Sequence, residues 1–182
     1  KNTYLNSAYV YAGANGKIKR YVEWDATGRY TFAGYEVNDF RVDANMKFSF
    51  YPFRRDKYSP IDLKIHFETG LKEPDFYQQN LLTNHFRWNN DFSKTSTTKI
   101  LGELDIPKWE LAASFGYALL ANNLYYDSKG TVQQNGGAMS VMTAYLQKNF
   151  TFWKIHLDNR ALFQLSSNND VLPLPMLALN LR

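Results

Sequence analysis

The segment Phe40–Phe50 constrains the fold more than any other, because apolar and polar residues alternate along its whole length. A two-residue period directs successive side chains to opposite faces of a β-strand, so one face of this strand is apolar and the other is polar. The segment exceeds the usual strand of about 5 to 6 residues and reaches the about 9 to 11 residues that a tilted strand needs to cross a bilayer. It therefore predicts a strand with one face toward lipid.

Similar alternation recurs along the rest of the chain, clearly at residues 63–71 and 109–119 and less clearly at residues 97–106. Before residue 54, the turn-forming pairs Asn15-Gly16 and Asn38-Asp39, with a further turn at residues 25–28, predict four strands. Residues 76–92 are predicted as one long strand. The whole pattern predicts about eleven strands and no helix, which is an all-β fold of the sandwich or barrel type.

Composition excludes several other classes of protein. The sequence contains no run of about 18 apolar residues, which is the length that a transmembrane helix needs. The mean hydropathy is −0.46, which suits a membrane barrel because only alternate residues of its strands meet lipid. The net charge of +4 is too small to predict a nucleic-acid partner. The absence of cysteine excludes disulfides and Cys-ligated metals.

The connections between predicted strands differ in length, and short turns on one rim with longer loops on the other are typical of an outer-membrane barrel. The short connections lie near Asn15, Asn38, Pro74, Pro107 and Trp153, and the longer ones lie near Lys57, Tyr126 and Asn169. Aromatic residues near strand ends are typical of a belt at the membrane interface. They are Trp24, Tyr51, Phe53, Trp109, Phe150, Phe152 and Trp153.

The alternating rows predict two functional surfaces. Charges of mixed sign would keep water in a lumen that passes small polar solutes by diffusion; alternatively, these charges pair across neighbouring strands and block the lumen. The predicted pore-lining residues are Arg41, Asp43, Lys47, Lys64, His66, Glu68, Arg87, Asp91, Asp158 and Arg160. The predicted lipid-facing residues are Val42, Met46, Phe48, Phe50, Ile65, Phe67, Leu111, Phe115, Leu157 and Phe163.

No cofactor, metal site or catalytic group is predicted. His66 with Glu68, and His156 with Asp158, each share a strand face and offer a metal two ligands, but a polar lumen supplies such pairs without a metal. The sequence contains no Gly-x-Ser-x-Gly nucleophile motif. We therefore expect a protein that is not an enzyme.

Residues 155–182 resemble a known family. The residues that carry the resemblance are His156-Leu157-Asp158-Asn159-Arg160, Phe163-Gln164-Leu165-Ser166-Ser167-Asn168, Val171-Leu172-Pro173-Leu174-Pro175 and the final Arg182. This stretch is similar to the putative porin family of Bacteroidota outer membranes, in which a similar strand, polar loop and Leu-Pro-x-Pro segment precede further barrel strands. The resemblance implies a porin-like channel in the bacterial outer membrane, longer than this chain.

Together these observations predict an antiparallel up-and-down transmembrane β-barrel, with residues 1–182 forming one barrel domain or a portion of it. An odd number of strands and the lack of a terminal aromatic residue lead us to expect a larger barrel. The expected partners are membrane lipid or lipopolysaccharide, small polar solutes and other outer-membrane protein chains, with no nucleic acid. Two alternatives remain open: a structural or accessory β-barrel subunit of a larger outer-membrane complex, and a soluble ligand-binding β-barrel with its apolar faces inward.

Overall fold

Strands dominate the computed structural model, which describes residues 6–52 and 60–182, except for the side chain of Ile155. No helix in these residues is long and apolar enough to cross a membrane. Besides the strands, the described residues contain one helix, α1 (Phe76–Gln79), and a 3-10 turn at Pro107–Trp109. The strands are β1 (Ser7–Ile18), β2 (Val22–Gly34), β3 (Phe40–Phe50), β4 (Ile61–Lys72), β5 (Asn80–Leu82), β6 (Arg87–Asn89), β7 (Thr95–Ile106), β8 (Leu111–Ala121), β9 (Leu124–Tyr126), β10 (Val132–Gln134), β11 (Ala138–Phe152), β12 (Ile155–Ser166) and β13 (Leu177–Leu181).

Nine of these strands form one antiparallel sheet, in the order β1-β2-β3-β4-β7-β8-β11-β12-β13. Each strand of this main sheet pairs with the next main-sheet strand along the chain, which is the predicted up-and-down order. β1 and β13 lie at opposite edges and do not pair with each other within the described residues. The prediction of an all-β antiparallel fold is therefore confirmed, whereas barrel closure is not observed in this part of the chain.

Three long strands precede residue 54, so the prediction of four is wrong. β1 continues through Asn15-Gly16 and pairs with β2 along its whole length, with Gly16 opposite Trp24. The Trp24 ring covers Gly16 so closely that a Cβ there would lie 2.5 Å from Trp24 Nε1. The chain turns instead at Lys19, whose φ of 52° lies in the left-handed region. Continuous pairing of two long strands therefore outweighs the turn preference of Asn-Gly, and residues 25–28 likewise lie inside β2.

Residues 76–92 do not form a strand of the main sheet, so the prediction of one long strand here is wrong as well. They form α1 and the short β5–β6 hairpin. A capping box between Asp75 and Gln78 begins α1, and the buried Gln79 side chain accepts a hydrogen bond from Phe92 N at 2.9 Å and donates one to Phe92 O at 3.2 Å. These polar contacts fold the segment back on itself. The main sheet consequently contains nine strands and not about eleven.

The connections of one rim of the main sheet are on average shorter than those of the other, but the prediction of which connections are short holds only in part, because the connection 51–60 lies on the rim of shorter connections and 35–39 lies on the opposite rim. The short-turn rim carries residues 19–21, 51–60, 107–110 and 153–154, and the long-loop rim carries residues 35–39, 73–94, 122–137 and 167–176. Because there is one strand fewer than predicted before residue 54, the connections near Asn38, Lys57 and Pro74 lie on the rim opposite to the predicted one. Because residues 76–92 also supply no strand to the main sheet, the connections from Pro107 onward lie on the predicted rims again. Phe53 and the predicted charged loop that follows it lie outside the described residues up to position 59.

Candidate functional site

The strand register brings the polar rows of neighbouring strands onto one surface. Asp43 on β3 lies opposite Glu68 on β4, and Glu68 lies opposite Lys99 on β7. We call this surface the charged face, and basic and acidic residues are equally numerous on it. Its charged residues are Lys17, Glu23, Asp25, Arg29, Arg41, Asp43, Lys47, Asp62, Lys64, Glu68, Lys72, Lys99, Glu103, Asp105, Asp158 and Arg160.

Arg41 is the centre of an ion-pair network across three strands. Its guanidinium donates to both carboxylate oxygens of Asp43, at 2.8 and 2.9 Å, which is the strong bidentate geometry. The same guanidinium lies 3.5 Å from Glu68, and Lys99 Nζ lies 3.4 Å from the other Glu68 oxygen. Both carboxylates are therefore compensated by cations, and the network crosses the direction of the strands.

His66 is held by a hydrogen-bond chain next to this network. Asn45 Nδ2 donates to Asp25 at 2.8 Å, which directs Asn45 Oδ1 toward His66 Nδ1 at 2.6 Å. A carbonyl oxygen only accepts, so His66 Nδ1 carries the hydrogen. His66 Nε2 then faces Glu68 at 3.9 Å.

This arrangement brings Asp43, His66 and Glu68 together, with one ligand atom of each within 4.8 Å of the others. The sequence indicated His66 with Glu68 but missed Asp43, because Asp43 lies on a different strand and only the register places it opposite Glu68. These residue types can bind a divalent metal. Here the carboxylates already pair with Arg41 and Lys99, so the group is part of the ion-pair network.

Eight of the ten predicted pore-lining residues lie on the charged face. Asp158 and Arg160 pair with each other at 2.8 Å on β12, but β8 and β11 separate them from the other six. The remaining two are not on the face, because Arg87 lies in the β5–β6 hairpin and Asp91 follows it. The polar residues of β8 and β11 on this face carry no charge, so the charges concentrate on β1 to β4, β7 and β12.

Further residues complete the network that sequence reasoning found only in part. Lys47 Nζ lies 3.0 Å from Asp62, Lys64 lies 3.9 Å from Glu103, and Ser49 donates to Asp62 at 2.6 Å. Asp62 could have been found from the sequence, since it has the same parity as Lys64 and His66. Its partner on β3 could not, because alternation alone does not give the register between strands.

Two cavities open on the charged face. The larger, of about 790 Å³, is lined mostly by polar side chains near the short-turn rim, including Lys17, Asp25, Lys47 and Glu103. The second, of about 510 Å³, lies toward the long-loop rim, where residues of the 73–94 and 122–137 connections meet the sheet. Both cavities therefore lie on the face that carries the ion pairs.

The opposite face is apolar and open. All ten predicted lipid-facing residues lie on it, and the large side chains of Phe115 and Leu157 are 51% and 49% exposed. Among the described residues, the buried apolar side chains are few: Ile106, Val132 and Met139. The sheet thus has no second layer that covers its apolar face in the described part of the chain.

The side chain of Lys94 links two loops of the long-loop rim, residues 35–39 and residues 73–94. Its ammonium forms ion pairs with Asp39 and Glu73 and donates to Val37 O at 2.7 Å. Glu73 N also donates to Asp39 at 2.8 Å. Burial disfavours the charged ammonium, but the hydrogen bonds and charges of Asp39 and Glu73 outweigh burial and raise the pKa of Lys94. The partly buried charge of Lys94, compensated by Asp39 and Glu73, therefore holds these two loops together.

A comparison with protein families identifies the group to which this sequence belongs. The family model described as putative porin matches residues 1–182. The chain belongs to the putative porin family. This match covers the whole chain, whereas the resemblance noted from the sequence is carried mainly by residues 155–182. The Bacteroidota origin stays a prediction. Family membership favours a porin-like, non-enzymatic protein of the outer membrane. No curated protein and no solved structure matches the chain.

Proposed function

We propose that this chain forms part of the wall of an outer-membrane channel through which small polar solutes diffuse passively. One observation carries the proposal: the main sheet has an open apolar face and an opposite face of paired charges. A bilayer against the first face and water against the second would satisfy both, since alternation of this kind is how barrel strands separate lipid from lumen. In this proposal the predicted lipid-facing and pore-lining residues of the main sheet take those two roles.

The balance of charge supports a channel with little ion preference. Basic and acidic residues are equally numerous on the charged face, and several of them pair across strands, as Lys47 does with Asp62. Rings of one sign select ions, whereas a compensated wall leaves selection mainly to solute size. Sugars and other neutral polar solutes are therefore the proposed cargo.

Two observations favour a second candidate, a structural or accessory β-barrel subunit of a larger outer-membrane complex. The ion pairs of Arg41 and Lys99 with Glu68 cross the strands, as a blocked lumen would require. The outer edges of β1 and β13 also lack strand partners in the described part of the chain, and unpaired edges are not tolerated in lipid. A soluble ligand-binding barrel has less support, because both cavities described above open on the charged face.

Liposome swelling tests the channel directly. The protein that contains this chain together with the strands proposed to bridge β1 and β13 is folded into liposomes, insertion is verified by flotation, and swelling is measured with sugars of increasing size. We expect swelling rates that fall with sugar size. Ser114 on the charged face and Ala113 on the apolar face supply a matched pair of variants: Ser114→Trp should slow the larger sugars, whereas Ala113→Trp should not. Insertion without swelling by any sugar would contradict the channel and favour the accessory subunit.

A further inference from the structure

The two rims of the main sheet carry opposite charge. The described turns of the short-turn rim contain the basic residues Lys19, Arg20, Lys108 and Lys154 and the acidic residue Glu110. The connections of the long-loop rim contain the acidic residues Glu36, Asp39, Glu73, Asp75, Asp91, Asp127 and Asp170, and the basic residues Arg87, Lys94 and Lys129. The short-turn rim is thus basic and the long-loop rim is acidic.

Aromatic rings accompany the cations of the short-turn rim. The Arg20 guanidinium lies 4.5 Å from the centre of the Tyr51 ring and 5.3 Å from that of Tyr21. Lys154 Nζ lies 5.3 Å from the centre of the Trp153 ring, and that ring is 84% exposed. A ring beside a cation suits the boundary of a bilayer, where the ring meets the acyl region and the cation meets the headgroups.

From these observations we infer that the short-turn rim binds the phosphate groups of anionic phospholipids, with Arg20 and Lys154 as the principal contacts. This inference rests on the proposed membrane-spanning function and adds to it a lipid class and a preferred end of the sheet. Clustered cations at a membrane surface attract anionic lipid, and aromatic neighbours fix their depth. The acidic long-loop rim would repel anionic headgroups, so the two ends of the sheet favour leaflets of different lipid composition.

Tryptophan fluorescence provides the measurement, because Trp109 and Trp153 lie on the short-turn rim. The chain is folded into phosphatidylcholine vesicles that contain either brominated phosphatidylglycerol or the same fraction of brominated phosphatidylcholine. Bromine on the acyl chains quenches tryptophans next to the lipid. Two matched variants are compared with the wild type: Arg20→Gln/Lys154→Gln on the short-turn rim and Arg87→Gln/Lys129→Gln toward the long-loop rim.

We expect brominated phosphatidylglycerol to quench the wild type more strongly than brominated phosphatidylcholine. In the Arg20→Gln/Lys154→Gln variant, the relative association constant for phosphatidylglycerol should fall by up to about fivefold per neutralised side chain, and the other variant should retain the wild-type preference. The wild-type preference should also weaken as salt is added.

Equal quenching by the two lipids, or a preference that survives in Arg20→Gln/Lys154→Gln, overturns the inference while the membrane assignment stands. Absence of quenching by either lipid together with absence of flotation overturns the membrane assignment itself. Circular dichroism of both variants verifies that each retains its β structure.

Discussion

At the scale of single residues, adjacent positions on one strand meet different surroundings. Phe115 on β8 lies on the apolar face and is half exposed, whereas its neighbour Ser114 lies opposite Glu103 and Tyr145 on the charged face. The same substitution at the two positions therefore separates the effect of the face from the effect of position along the strand.

If the apolar face meets lipid as proposed, Phe115→Arg should destabilise the inserted protein, because it would place a cation against hydrocarbon near the middle of β8. We expect a loss of about 2 to 4 kcal/mol in the free energy of unfolding. Ser114→Arg should stay within about 0.5 kcal/mol of the wild type, since its side chain reaches water and Glu103. Urea unfolding in lipid vesicles measures both. Equal losses for the two variants would show that the face assignment is wrong.

Residue-level prediction separates the two faces of the main-sheet strands, but it places Arg87 and Asp91 on a face that they do not share and it fails for pairing. The alternation around Lys47 and Phe48 is sufficient to separate the two faces, because the side-chain period of a strand is fixed at two. The same alternation contains no information about which residue lies opposite. The contact of Arg41 with Glu68 became visible only from the register of β3 with β4.

At the scale of elements, pairing between long strands decides where the chain turns. Asn15-Gly16 is a strong hairpin signal, yet β1 continues through it to Ile18, because β2 offers partners along the whole length. Residues 76–92 show the converse. Their alternation resembles that of a strand, but the capping of α1 and the contacts of Gln79 fold them into a connection. Local periodicity does not report either kind of competition.

The Lys94 ion pairs should stabilise the connections of the long-loop rim. Lys94→Met leaves Asp39 and Glu73 partly buried without a cation, which we expect to cost about 1 to 3 kcal/mol of local opening free energy. Hydrogen exchange of the Glu73 amide, which donates to Asp39, measures the opening. Lys72→Met is the control, because the exposed Lys72 pair with Asp75 should contribute less than about 1 kcal/mol.

The difference in local opening free energy between the wild type and Lys94→Met should depend on pH. The pKa of Lys94 is raised in the folded protein, so its stabilising contribution is complete below the unfolded value of about 10.4 and is lost as the pH rises through the folded value. The difference in opening free energy between the wild type and Lys94→Met should therefore be constant at neutral pH and shrink in strongly alkaline buffer. A difference that is unchanged there would exclude the ion pairs as its source.

At the scale of the whole molecule, the direction of the edge strands limits how the sheet can close. Nine antiparallel strands leave β1 and β13 running in the same direction, whereas bacterial single-chain barrels close with an even number of antiparallel strands. We therefore expect the two edges to be bridged by further strands and not to meet directly.

Disulfide scanning tests this expectation, and the chain contains no native cysteine to interfere. Leu179→Cys on β13 is combined in turn with a cysteine at each position of β1, and the inserted proteins are oxidised. We expect no efficient intramolecular disulfide at any position, because the Cα atoms must approach to about 4.4 to 6.8 Å. The cross-strand pair Val10→Cys/Tyr30→Cys, whose positions lie opposite each other, is the positive control. Efficient bonding between β13 and β1 would show parallel closure.

The pairing of each main-sheet strand with its sequence neighbours also bears on how such a chain changes in evolution. The sheet is a series of hairpins, and no strand depends on a partner from a remote part of the described chain. If the sheet closes into the proposed barrel, duplication or loss of one hairpin would change the circumference by a fixed increment while the register of every other hairpin is kept. The width of the proposed pore could then change with the number of hairpins, independently of the side chains that line it.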